Sequence, residues 1–80
     1  MATFIATEHD LIKGHFLHEW HDYPLSEVSI TQITNADQFT YGAQEAGAQL
    51  GDWLIASDDG QAAEIVRIVD GAVQSIHSHP

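Results

Sequence analysis

The chain has 80 residues, enough for one domain, and at this length folding buries only about 60% of the unfolded surface, leaving little room for a closed catalytic pocket. It has no cysteine, which excludes disulfide staples, thiolate zinc sites and a cysteine nucleophile. Twelve acidic residues against two basic ones, Lys13 and Arg67, give a formal net charge of −10, which disfavours direct contact with nucleic acid or an anionic membrane, because two cations can replace few phosphate counterions.

Residues 2–6, Ala-Thr-Phe-Ile-Ala, read as a short strand rich in β-formers. Thr7 then suits a helix N-cap, with Asp10 at the capping-box position and Glu8 beside it in the first turn, where the helix dipole favours acids. Ile12, Phe16 and Trp20 follow at four-residue spacing, widened by Leu11 and Leu17, and Pro24 ends the pattern. A helix over about 8–21 is therefore expected. A strand remains the competing reading, because Gly14 weakens a helix and Phe16, His18 and Trp20 also alternate.

Glu27 to Ile33 is strand-like, with Val28 and Ile30 on one face. Asn35-Ala36-Asp37 supplies turn residues, and the alternation of Phe39 and Tyr41 predicts a returning strand that closes a hairpin. Residues 42–51 carry no bulky apolar group except Leu50 and read as a loop or a single helical turn. Residues 52–56 form a strand, with Ser57-Asp58-Asp59-Gly60 as a tight turn after it. Residues 64–69 return as a second strand, and Asp70-Gly71 is a strong two-residue hairpin signal before a third strand over 72–76. The expected fold is α+β: one N-terminal helix packed on an antiparallel sheet or small open barrel, with a C-terminal three-stranded meander.

Chemistry-bearing motifs are sparse. There is no Gly-x-Ser-x-Gly elbow, and the glycines at 42, 47 and 51 lack the Lys-Ser or Lys-Thr pair of a phosphate loop. His18-Glu19-Trp20-His21 resembles the zincin motif but places its second histidine one residue too early. Six histidines are still many for this length; His15, His18 and Asp22 are the best-spaced metal candidates, and a pH-responsive surface is the other reading. No enzyme activity and no cofactor are expected.

The acids are spread from Glu8 to Asp70 without a contiguous run, as suits a folded domain surrounded by a negative field. Asp58, Asp59 and Asp70 at predicted hairpin tips, with Glu19 and Asp22 near the helix end, are the carboxylates expected to meet a partner. Trp53 and Trp20 each suit the core; an exposed Trp53 beside acids would be an anchor for binding. The start of the chain lacks the basic and apolar regions of a secretory signal, and no apolar stretch approaches the roughly 20 residues that cross a bilayer, so a soluble cytoplasmic protein is expected.

Leu50-Gly51-Asp52-Trp53-Leu54-Ile55, followed by Asp59-Gly60, resembles a stretch found in small bacteriophage head-decoration and fibre modules. Size, acidity and the lack of catalytic motifs are similar in type to phage-encoded inhibitors of host defence such as anti-CRISPR proteins. The resemblance implies a cytoplasmic partner in a host cell whose basic or nucleic-acid-binding groove accepts carboxylates. The alternatives are a virion or assembly protein forming a symmetric homo-oligomer, and a histidine-based metal- or pH-responsive binder.

Overall fold

A computed structural model describes residues 7–39 and 44–79. The order along the chain is helix α1 (Glu8–Glu19), a 3-10 turn at Leu25–Glu27, β1 (Val28–Gln32), a second 3-10 turn at Ala36–Gln38, then β2 (Trp53–Ser57), β3 (Ala63–Val69) and β4 (Ala72–His79). The strands form one open antiparallel sheet in the order β1-β2-β3-β4, so every sheet neighbour is also a chain neighbour. The α+β architecture read from the sequence is the observed one, with a sheet and not a barrel. The strand expected at residues 2–6 lies outside the described residues.

The helix resolves the ambiguity of residues 8–21. Thr7 accepts from the Asp10 amide while the Asp10 carboxylate accepts from the Thr7 amide, each at 3.1 Å, so both capping-box bonds are made. The Asp10 carboxyl is held below its ordinary pKa, chiefly by the Thr7 backbone hydrogen bond. Ile12 and Phe16 point inward and are buried, while Leu17 is 59% exposed on the outer face. The helix ends at Glu19, two residues earlier than expected, where the Trp20 amide still donates to the Phe16 carbonyl.

The returning strand expected at Phe39 and Tyr41 is corrected in part. Phe39 is not in a strand, and Tyr41 lies outside the described residues. Asn35 instead caps the Ala36–Gln38 turn, and the Gln38 side chain accepts from the Thr34 and Asn35 amides and donates to the Gln32 carbonyl. With those groups satisfied locally, the partner of β1 is β2, in the register Val28–Ser57 through Gln32–Trp53. The hairpin between β3 and β4 is the one the sequence announces: Asp70 and Gly71 both take positive φ, +53° and +78°.

The sheet's helix-facing side carries Val28 and Ile30 of β1, Trp53 and Ile55 of β2, Val66 and Ile68 of β3 and Val73 of β4, packed against Ile12 and Phe16. On the other side, Asp52 and Arg67 face each other across adjacent segments. The guanidinium donates to both carboxylate oxygens, Nε at 2.7 Å and Nη2 at 2.8 Å, and the Gln49 amide adds a third bond at 2.8 Å. Burial pushes the Asp52 carboxyl up, but the Arg67 hydrogen bonds, the Gln49 amide and the guanidinium charge outweigh it and hold the pKa below the ordinary value. This clamp ties the loop before β2 to the middle of the sheet.

Candidate functional site

The site grows from one residue that breaks the pattern of β3. Alternation places Glu64 on the inward face with Val66 and Ile68, and its side chain is only 8% exposed. A buried carboxylate needs donors, and His15 in the second half of α1 and Trp20 just past its end provide them. His15 Nε2 lies 3.0 Å from both carboxylate oxygens, and Trp20 Nε1–H donates to Oε1 at 2.9 Å. Glu64 therefore fixes the C-terminal half of α1 on the sheet and sets the orientation of the Trp20 indole.

From that anchor an aromatic series runs outward. Buried Phe16 packs on Trp20 with ring centroids 5.3 Å apart, and Trp20 meets Tyr23 edge-on at 5.5 Å. Tyr23 stands between two clefts. One, of about 390 Å³, is lined by Glu19, Trp20, His21, Asp22, Tyr23 and the residues Ala62 and Ser78 of the sheet side. The other, of about 460 Å³, is lined by Tyr23, Glu27, Asp58 and Asp59.

Five carboxylates from three parts of the chain thus converge on the end of the molecule where β2 turns into β3. Glu19 ends the helix, Asp22 and Glu27 belong to the connection into β1, and Asp58 and Asp59 occupy the turn after β2. Neither basic side chain reaches them. Lys13 lies beside Leu25, Val28 and Ile30, and Arg67 is committed to Asp52.

Four of the carboxylates expected to meet a partner, Glu19, Asp22, Asp58 and Asp59, are brought together here, and Asp70 is not. It sits at the opposite end of β3, the length of a seven-residue strand away, about 20 Å. Trp53 is corrected as an exposed anchor. It is 8% exposed, packs in the core and meets the tilted His9 ring at 5.8 Å, because alternation along β2 turns it toward the helix. Asp59 has a second duty, since its Oδ1 accepts from Ser57 Oγ at 2.7 Å and the Gln61 amide at 3.0 Å, bonds that also lower its pKa. Asp58 is freer, with one long contact of 3.5 Å from Ser29 Oγ.

His15, His18 and Asp22 do not form a donor set. His15 points inward to Glu64, whereas the His18 side chain is 84% exposed and bonds Glu19. Asp22 lies past the helix end, so the four-residue spacing from His18 no longer places the two on one helical face. Among the described residues no three His, Asp or Glu side chains are grouped as metal ligands, and no helix is long and apolar enough to cross a membrane.

Sequence reading misses Glu64, Tyr23 and Glu27. Glu64 carries a usable signal, an acid in register with Val66 and Ile68 on an otherwise apolar strand; Tyr23 and Glu27 carry none, because only the chain path through the 3-10 turn brings them beside Asp58. Comparison of the chain with protein-family models, curated proteins and solved structures found no significant match.

Proposed function

We propose that this chain is a non-catalytic docking module whose acidic end occupies a basic groove of another protein. The observation that carries the proposal is the convergence of Glu19, Asp22, Glu27, Asp58 and Asp59 around Tyr23, with both basic side chains placed elsewhere. Gathering like charges at one end costs folding stability, a cost that a basic partner relieves on binding. The groove best matched to such a face is one that normally holds a nucleic-acid backbone, where lysines and arginines are already spaced for phosphates. In its specific form the proposed function is inhibition of a host nucleic-acid-binding protein, of the phage-encoded anti-CRISPR type.

The test uses the immobilised chain and a host cytoplasmic extract. The protein captured at low salt by wild type and by Asp70→Asn should be lost at high salt, and should be lost from the double variant Glu27→Lys/Asp58→Lys. Asp59 is left untouched because its turn contacts would confound the result. Equal capture by the double variant would refute the docking role.

A second reading, a symmetric assembly protein, has one observation behind it. Among the described residues β4 is an edge strand, and Ala72 to Ser78 carry no Asp, Glu, Lys, Arg or Pro to blunt that edge. Sedimentation analysis tests it: a monomer at high concentration would exclude pairing along β4.

A further inference from the structure

We infer that the cleft lined by Trp20 and Tyr23 is a receptor for a single arginine side chain of the partner. The inference rests on the docking reading and narrows it to one contact. Four observations lead to it. The cleft has an aromatic wall, made by the Trp20 and Tyr23 rings packed edge to face with centroids 5.5 Å apart. Glu19, whose Oε1 also meets His18 Nδ1 at 2.9 Å, and Asp22 line the same cleft, so a cation entering beside the rings meets carboxylate and aromatic groups together. The Trp20 ring is held in place, its indole N–H tied at 2.9 Å to a carboxylate that His15 also contacts. That bond withdraws the polar edge of the indole from the cleft and pushes electron density into the ring, which strengthens attraction for a cation. Finally, the cleft volume of about 390 Å³ accommodates a long side chain together with bridging water.

The chemistry favours guanidinium over ammonium. A guanidinium is planar and weakly hydrated, stacks on an aromatic face, and can fork its in-plane donors to a carboxylate during stacking. An ammonium group is a compact, strongly hydrated charge that gives up more hydration to enter an aromatic-walled site. The Glu27, Asp58 and Asp59 cleft beyond Tyr23 has carboxylates and a single aromatic residue, where the first cleft has two. It therefore supplies the diffuse, salt-sensitive part of binding, and the Trp20 cleft supplies the selective part.

The experiment titrates the chain with two capped tripeptides, Gly-Arg-Gly and Gly-Lys-Gly, and follows the indole N–H signals by NMR. The two tryptophans report separately, since Trp53 is buried in the core. The expected result is a saturable shift of the Trp20 signal, a Trp53 signal that stays in place, and arginine affinity at least about threefold above lysine, an energy gap of roughly 0.6 kcal/mol. Asp22→Asn and Tyr23→Leu should each weaken the arginine peptide by about two- to fivefold, the span of an exposed charge or cation–π contact. Both positions lie outside α1 and the fully buried core, which keeps the fold intact. An unmoved Trp20 signal, or equal binding of both peptides by wild type and both variants, overturns the inference. The docking reading stands or falls separately, because reversing Glu27 and Asp58 does not alter the Trp20 cleft.

Discussion

Replacing Glu64 by leucine and by glutamine should separate the two things this carboxylate does. Glu64→Leu would leave the His15 and Trp20 donors without their acceptor, each having made a hydrogen bond to a charged group of about 1.5–3 kcal/mol. Both donor side chains are partly exposed and can recover water, and leucine regains apolar burial, so the net loss is about 2–3 kcal/mol. An 80-residue domain has a total stability of roughly 4–12 kcal/mol, so this is a large share. With a urea slope near 1 kcal/mol/M for so small a chain, the midpoint should fall by about 2–3 M. Glu64→Gln keeps the shape of the side chain: its amide oxygen can accept from Trp20 while its amide nitrogen donates to a neutral His15 Nε2. The loss in that variant should stay at or below about 1 kcal/mol at a pH where histidine is neutral. Urea melts followed by far-UV circular dichroism measure both. Equal midpoints for Glu64→Leu and wild type would show that Glu64 does not anchor α1.

Thr7→Ala removes the N-cap oxygen and should cost about 1 kcal/mol in the same urea assay. Arg67→Ala should lower the thermal midpoint at neutral pH and lower it progressively less on acidification. In wild type the depressed Asp52 pKa gives stability that is fully present above the unfolded value of about 3.9 and is lost as pH falls through the folded one. Without Arg67, burial is the largest remaining influence and raises the Asp52 carboxyl, so protonation favours the folded variant; the gap starts to close above the ordinary carboxylate value of about 3.9 and finishes below it, as wild-type Asp52 is protonated in turn. Calorimetric scans across that range check it, and a gap that widens on acidification would contradict the clamp. Glu27→Gln should leave the free protein as stable as wild type or stabilise it by up to about 0.5 kcal/mol, because it relieves repulsion near Asp58 and Asp59, and yet it should weaken partner binding.

What is legible in this chain follows local chemistry. Thr7 with Asp10, and Asp70 with Gly71, announce a helix start and a hairpin through contacts made within a few residues, and both are present in the fold. The sequence pattern after β1 misleads because Phe39 and Tyr41 alternate in sequence like a strand, whereas Asn35 and Gln38 satisfy the backbone in a 3-10 turn, and satisfied donors do not seek a ladder. The Gly51-Asp52-Trp53-Leu54 stretch, on which the phage resemblance rests, has structural uses here: Asp52 holds Arg67, and Trp53 fills the core. The acidic end is half visible in the sequence, which places Asp58 and Asp59 in a turn and Glu19 and Asp22 near a helix end. That those two ends meet depends on α1 crossing the sheet toward the β2–β3 turn, a path fixed by the long-range bonds from His15 and Trp20 to Glu64.

If one acidic end, and not the overall charge, makes the contact with a partner, the position of a lost charge must matter more than its loss. The most direct measurement is the dissociation constant of the captured partner across a salt series for wild type, Glu27→Gln, Asp58→Asn and Asp70→Asn, each variant removing a single charge. Glu27→Gln and Asp58→Asn should each weaken binding at least about threefold at low salt and flatten the salt slope, while Asp70→Asn should bind like wild type. Equal losses in all three variants, tracking the charge removed whichever end it comes from, would contradict it.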